Sequence, residues 1–311
     1  MPLETHQKLL YRISSVLLSI LLLAIVIEVG LRLMGAYMTH KVHVASARKR
    51  DATDFILCVG DSHTYGIGAA PALSYPAQLE ALLNKQDRAR TWQVVNLGMP
   101  GNNSSQTLQM VKGYLTADYT RPRLVIFCAG SNNEHNFANA RIIPADLAGR
   151  GNKAWVKYLL ANSRLFRMGQ ITVSRLEQVL GSIDKEGASA LKYPLLETER
   201  PEERQLLQDW IFKDIQSLQE ELKPRGITLV LLTYFRRCAW VNPVYEKASA
   251  ELGIPVIDVY NFGKPEGTQI PVGKIYAAKD GHPNQYGYAR IAEIVYKALL
   301  DRRLIPPPSA N

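Results

Sequence analysis

The stretch Phe55-Ile56-Leu57-Cys58-Val59-Gly60-Asp61-Ser62-His63-Thr64-Tyr65-Gly66 decides the fold. Its apolar run is unbroken rather than alternating, the pattern of a strand buried on both faces. The run ends at Gly60, and a serine follows at once. A serine just past the carboxyl end of the first strand of a parallel sheet stands where open α/β sheets present ligands. Gly60 before it and Gly66 after it permit a tight turn that exposes the hydroxyl. Thr64 occupies the place of the second glycine of a Gly-x-Ser-x-Gly elbow, and no Gly-Lys-[Ser/Thr] follows, so neither that elbow nor a phosphate loop is present.

Further runs rich in Val, Ile and Leu lie at Trp92–Leu97, Leu124–Ala129, Ile227–Thr233 and Pro255–Val259. Helical spacing separates them: Tyr75 to Leu83, with Ser74 as N-cap and Pro76 in the first turn, and a last amphipathic helix from about Asn284 to Arg302. Continuous apolar strands alternating with helices define an α/β chain with a parallel sheet covered on both faces. Between Asn136 and Arg225 no strand is evident. Trp155–Arg167, Ile171–Leu180 and Glu202–Leu222 read as helical, and Gly181–Gly187 as a loose connection.

Three more blocks carry chemistry. Asn96-Leu97-Gly98-Met99-Pro100-Gly101-Asn102-Asn103 follows the second strand, and Gly130-Ser131-Asn132-Asn133-Glu134 follows the third. In a parallel sheet both face the same edge as Ser62. A glycine N–H and an asparagine amide there, with the N–H of Ser62, could surround a developing oxyanion. Each block alone is an ordinary Asn/Gly turn; three in register are not. Lys279-Asp280-Gly281-His282-Pro283-Asn284 precedes the last helix. His282 could serve Ser62 as base, with Asp280 as the carboxylate that orients it, while Pro283 would fit the first helical turn. Asp61 reads as an acceptor for loop hydrogen bonds, and Tyr65 and Tyr234 as packing residues near the site. His63 and His135 with Glu134 lack metal-ligand spacing, so neither a metal nor another cofactor is expected.

These four blocks resemble those of the SGNH (GDSL-type) hydrolase superfamily, in the same order, over Phe55 to about Leu300 outside the helical excursion. The resemblance implies a three-layer α/β/α fold with a flavodoxin-like parallel sheet. It implies Ser62 as nucleophile and oxyanion donor, Gly101 (or Gly98) and Asn132 as the other oxyanion donors, and His282 as base. The commonest pattern places the aspartate three residues before the histidine; here Lys279 holds that position and Asp280 stands one nearer. The activity implied is hydrolysis of carboxylic esters, on a small-molecule, glycan or lipid substrate. The alternatives are O-acyl transfer to a cell-surface glycan on the same site, and a non-catalytic binding module.

Leu9 to Ile27, extending to about Met34, is apolar and long enough to span roughly 30 Å of hydrocarbon. Glu28 and Arg32 are four apart and can pair on one helix face. A signal-peptide site at Ala45-Ser46-Ala47 lies far beyond the apolar run. The expectation is therefore an uncleaved single-pass anchor over 1–35, a polar basic linker over 36–53, and a hydrolase domain over 54–305 with an insertion at about 136–225. Lys8 and Arg12 precede the span, whereas Arg32, Lys41, Arg48, Lys49 and Arg50 follow it, which by the positive-inside rule puts the domain inside. An anchor followed by Glu28-x-x-Leu31-Arg32 resembles membrane-anchored bacterial members and implies the extracytoplasmic side.

Over the 311 residues, 47% hydrophobic and 21% charged content describe a folded chain with a sizeable core. The net charge of +9 comes without a zinc-finger, helix-turn-helix or basic-aromatic pattern, so nucleic acid is not an expected partner. Cys58, Cys128 and Cys238 sit in or beside apolar runs and read as buried free thiols.

Overall fold

A computed structural model describes residues 2–46, 52–87, 89–116, 121–134, 163–166, 168–169, 201–235, 238, 240–259 and 282–308. The chain divides into two compact units. The first comprises Met1–Lys41 and Asn139–Leu195, the second Val42–Ala138 and Leu196–Asn311.

Helix α1 (Pro2–Ser46), which lies in the first unit as far as Lys41, contains one segment, Tyr11–Tyr37, long and apolar enough to cross a membrane by length and composition, with a mean hydropathy of 2.5. The stretch 36–53, expected as a linker, is helical as far as Ser46. Arg32 Nε donates to Glu28 Oε1 at 2.7 Å, the pair the four-residue spacing predicts. The other oxygen, Glu28 Oε2, accepts from Ser163 Oγ at 3.0 Å and from the Leu165 N–H at 2.9 Å. A short helical turn at 164–166 thus has its first N–H groups met by a carboxylate of α1. The helices expected at Trp155–Arg167 and Ile171–Leu180, and the loose connection at Gly181–Gly187, lie almost wholly outside the described residues.

The second unit is built on a five-stranded, all-parallel sheet: β1 (Asp54–Gly60), β2 (Trp92–Gly98), β3 (Leu124–Cys128), β4 (Thr228–Leu232) and β5 (Val256–Ile257), in the order β2-β1-β3-β4-β5. Ile56, Leu57, Val59, Leu97, Leu124, Ile126, Phe127, Val230 and Leu231 are all buried. Burying each such side chain contributes about 1.5–3 kcal/mol. Helices α3 (Tyr75–Gln86) and α7 (Gln285–Asp301) pack together, while α4 (Ser104–Thr116), α5 (Pro201–Leu222) and α6 (Asn242–Leu252) form a second group with α5 between its neighbours. This is the doubly wound, flavodoxin-like arrangement that right-handed crossovers impose when strand order reverses at β1/β3.

Local chemistry places the helix starts. Asn103 Oδ1 accepts from the Gln106 N–H at 2.8 Å, and Gln106 Oε1 accepts from the Asn103 N–H at 3.0 Å, a reciprocal box that opens α4. Ser74 holds the N-cap position of α3 with Pro76 in the first turn, but its hydroxyl donates to Pro71 O at 2.9 Å instead of capping. The last helix departs from expectation. Asn284 is its N-cap, accepting from the Tyr286 and Gly287 N–H groups at 3.0 Å each, so Pro283 lies before the helix and not in its first turn. The fifth strand is shorter than the apolar run from Pro255 to Val259.

Candidate active site

Strand register builds the site. Gly60 pairs with Gly98 on one side and with Cys128 on the other, so β1, β2 and β3 end level with one another. The loops that follow carry Ser62, Gly101 and Asn132, and all three open from one edge at the point where strand order reverses.

Ser62 begins α2 (Ser62–Tyr65), a single turn whose N-cap, Asp61, accepts from the His63 N–H at 3.0 Å. Gly66 closes the turn in the left-handed region at φ 102°, its N–H donating to Ser62 O at 3.1 Å. Gly60 has no space for a side chain, because a β-carbon there would overlap Cys128 O and Thr64 Oγ1. Opposite Ser62, His282 Nε2 lies 2.8 Å from Ser62 Oγ, across 220 residues of sequence. Asp280, expected to orient that imidazole, lies outside the described residues, as does His135.

The two glycines of the second block are not equivalent. Gly98 donates its N–H to Asn96 Oδ1 at 2.8 Å, and a β-carbon on it would strike the α2 backbone at Tyr65 and Thr64. Gly98 is therefore a packing residue whose amide is occupied. Gly101 sits at φ 78° with open space around the position of a β-carbon. Asn132 lies on a helical turn at 131–134, and its amide Nδ2 donates to Asn102 O at 3.0 Å, which ties the third block to the second.

Residues that carry no motif of their own hold these loops. Asn133 Oδ1 accepts from the Ser104 N–H at 2.9 Å, and Asn133 Nδ2 donates to Ser104 Oγ at 2.7 Å. Ser104 Oγ and Ser105 Oγ both donate to Asp214 Oδ2 on α5, and Trp210 Nε1 donates to Ser105 Oγ at 2.7 Å. Burial raises the Asp214 carboxyl above its ordinary range, with the two serine hydroxyls working against that shift. The one sequence signal for this cluster was the serine pair directly after Asn103; its partner lies 110 residues away from Ser104.

Asp61 is fully buried. Its Oδ2 accepts from Tyr234 OH at 2.6 Å and from Ser131 Oγ at 2.8 Å, and its Oδ1 faces His63 Nδ1 at 3.4 Å. Burial alone would raise this carboxyl, but His63 and Tyr234 outweigh it and hold the group below its ordinary value. Burial pushes the Tyr234 hydroxyl far the other way, and it keeps its proton as a donor to Asp61. Tyr234 is thus a buried strut between Asp61 and the Ser131 N–H, whereas Tyr65, at the end of the turn that Ser62 begins, is 46% exposed.

Glu134 is buried, Oε1 meets no hydrogen-bond partner among the described residues, and burial raises its carboxyl to about 7. Cys58, Cys128 and Cys238 are free and buried, and burial pushes the Cys58 thiol up to about 12. No group of His, Cys, Asp and Glu among the described residues is assembled to hold a metal ion. A cleft of about 530 Å³, lined by Gly68, Ala69, Ala70, Asn284, Gln285 and Tyr286, opens beside the segment that carries His282.

A serine and an imidazole in hydrogen-bond contact, at the carboxyl edge of a doubly wound sheet, form an arrangement that suits a serine nucleophile and its base. Residues 58–290 match the GDSL-like Lipase/Acylhydrolase family, and the chain belongs to that family of hydrolases. No curated protein matches it. Solved structures similar to it include a lipase/acylhydrolase from Enterococcus faecalis, at 15% identity over 83% of this chain and 100% of that one, with a TM-score of 0.48. A catalytic mutant of an acetylxylan esterase from Geobacillus stearothermophilus is similar at 17% identity over 85% of this chain and 100% of that one, also at 0.48. The psychrotrophic esterase EstA from Pseudoalteromonas sp. is similar at 11% identity over 80% and 98%, at 0.47.

Proposed function

We propose that this chain hydrolyses carboxylic esters by two-step acyl transfer through Ser62. The observation that carries this reading is the 2.8 Å contact between His282 Nε2 and Ser62 Oγ. His282 takes the hydroxyl proton as Ser62 Oγ attacks the ester carbonyl, and then gives it to the departing alcohol. The N–H groups of Ser62 and Gly101 and the Asn132 amide receive the negative charge on the carbonyl oxygen. Water, deprotonated by His282, releases the acid and restores the serine. Asp280 is assigned as the carboxylate that fixes the imidazole tautomer, on its place in the sequence alone. In the same reading Tyr11–Tyr37 anchors the chain in a membrane, and the hydrolase domain, 54–305, works on the extracytoplasmic side.

With a hydroxyl acceptor in place of water the same residues perform O-acyl transfer, so the acceptor has to be tested directly. Purified full-length protein in detergent, given an aryl acetate with and without a glycan acceptor, is expected to release acetate at a rate the acceptor does not raise. Acetate appearing on the acceptor at the expense of free acetate would assign transfer, and no turnover under either condition would overturn the enzyme reading.

A further inference from the structure

One side chain at the site has no task in the chemistry above. His63 follows the nucleophile directly, and its ring lies 4.9 Å from the ring of His282, centroid to centroid, tilted by 43°. It packs edge-on against Tyr234 at 4.9 Å and against Phe235 at 5.9 Å. Its Nδ1 is buried and faces the Asp61 carboxylate at 3.4 Å, too long for a good hydrogen bond but placed so that an N–H at Nδ1 would face an acceptor. Asp61 is itself locked by Tyr234, Ser131 and the His63 N–H. The side chain is nevertheless 20% exposed, and since Nδ1 is buried, that exposure belongs to the rest of the ring, on the Nε2 side. With the proton on Nδ1, Nε2 offers a lone pair. Leucine or phenylalanine would fill a wall between Tyr234, Phe235 and His282 without burying a ring nitrogen. A histidine held by a carboxylate presents a polar edge beside the catalytic imidazole.

Which part of a substrate meets that edge follows from the task of His282. Its Nε2 has to reach the departing oxygen to return the proton, so a group stacked alongside it borders the alcohol portion of the ester. We propose that His63 is a specificity residue whose Nε2 accepts a hydrogen bond from a hydroxyl next to the ester oxygen, so that the substrates are esters of polyhydroxylated alcohols such as sugars or glycerol. This rests on the reading of Ser62 as nucleophile.

The test compares two esters of nearly equal size on the full-length protein in detergent: ethylene glycol monoacetate, which carries the neighbouring hydroxyl, and propyl acetate, which does not. The wild type is expected to favour the glycol ester by about tenfold in kcat/KM, the effect of one good hydrogen bond. His63→Phe keeps a ring and removes both nitrogens. It should erase the preference through KM on the glycol ester and leave propyl acetate within about threefold. His63→Gln, which restores an acceptor, should recover part of the preference. It also serves as the working variant if His63→Phe lowers the melting temperature. Equal losses on both esters in both variants, or a wild type with no preference, would overturn the inference while leaving Ser62 in its role. If neither ester is turned over by the wild type, or both survive Ser62→Ala, the nucleophile assignment fails and the inference falls with it.

Discussion

The two sides of this active site are held by different means. Ser62, Gly101 and Asn132 follow three adjacent strands whose ends are level, and each loop is fastened by buried or half-buried hydrogen bonds: Asp61 to Tyr234 and Ser131, Asn132 to Asn102, and Asn133 to Ser104. His282 comes from the segment that leads into α7, two residues before its cap, where Asn284 takes the N–H groups of Tyr286 and Gly287. A strand end is positioned by the whole sheet, whereas His282 stands beside the cap of α7 and, among the described residues, meets the Ser62 hydroxyl and the His63 ring. The serine side is thus pre-organised by the core, and the histidine side depends on local chemistry.

The contrast can be broken at either end. The largest effect is expected at the point where the sides meet. Ser62→Ala and His282→Ala should each lower ester turnover by roughly 10⁴–10⁶, with unchanged melting temperature, and the double variant should be no worse than either single one. Asn132→Ala comes next, at roughly 10²–10³ in kcat, as for the loss of one oxyanion donor. The two glycines sharpen the serine side. Gly98→Ala should misplace α2 and abolish activity together with a fall in melting temperature, because its β-carbon meets the backbone of Tyr65. Gly101→Ala has space and should cost about 1–2 kcal/mol of backbone strain, seen as a modest loss of stability.

The smallest effect concerns Glu134. Its carboxyl is raised from the ordinary 4.5 to about 7 by burial, so the folded chain favours the protonated form. The stability it contributes is then complete below pH 4.5 and is lost as pH rises through about 7. Glu134→Gln keeps the neutral shape, and should gain melting temperature relative to wild type between pH 5 and 8. Parallel melting curves for the two proteins across that range would contradict the assignment.

Much of the serine side was legible from the residues. The run from Phe55 to Val59, its glycine and its serine announced a strand, a turn and a serine at the strand's carboxyl end, because a doubly buried strand leaves a continuous apolar signature. Helix α4 carries a capping pair in Asn103 and Gln106, three apart, but after Gly101 and Asn102 that asparagine has the same composition as a plain turn. In sequence, only the family resemblance favours Gly101 over Gly98. What distinguishes them is the Asn96 side chain folding back onto one amide, a contact local composition does not encode. Asp214 was invisible for a different reason: its serines lie 110 and 109 residues earlier in the chain, and no periodicity links residues that meet only through tertiary packing. On the histidine side, Pro283 misled the helix boundary, since a proline before an asparagine cap resembles a proline at the first helical position.

One measurement addresses the central claim directly. Full-length protein treated with a fluorophosphonate probe, digested and sequenced by mass spectrometry, should carry a single adduct on Ser62. Labelling should vanish in Ser62→Ala and slow by orders of magnitude in His282→Ala, because the imidazole 2.8 Å away is what activates the hydroxyl. An unlabelled Ser62 in folded protein, or equal labelling rates with and without His282, would contradict the pairing on which this account of the site is built.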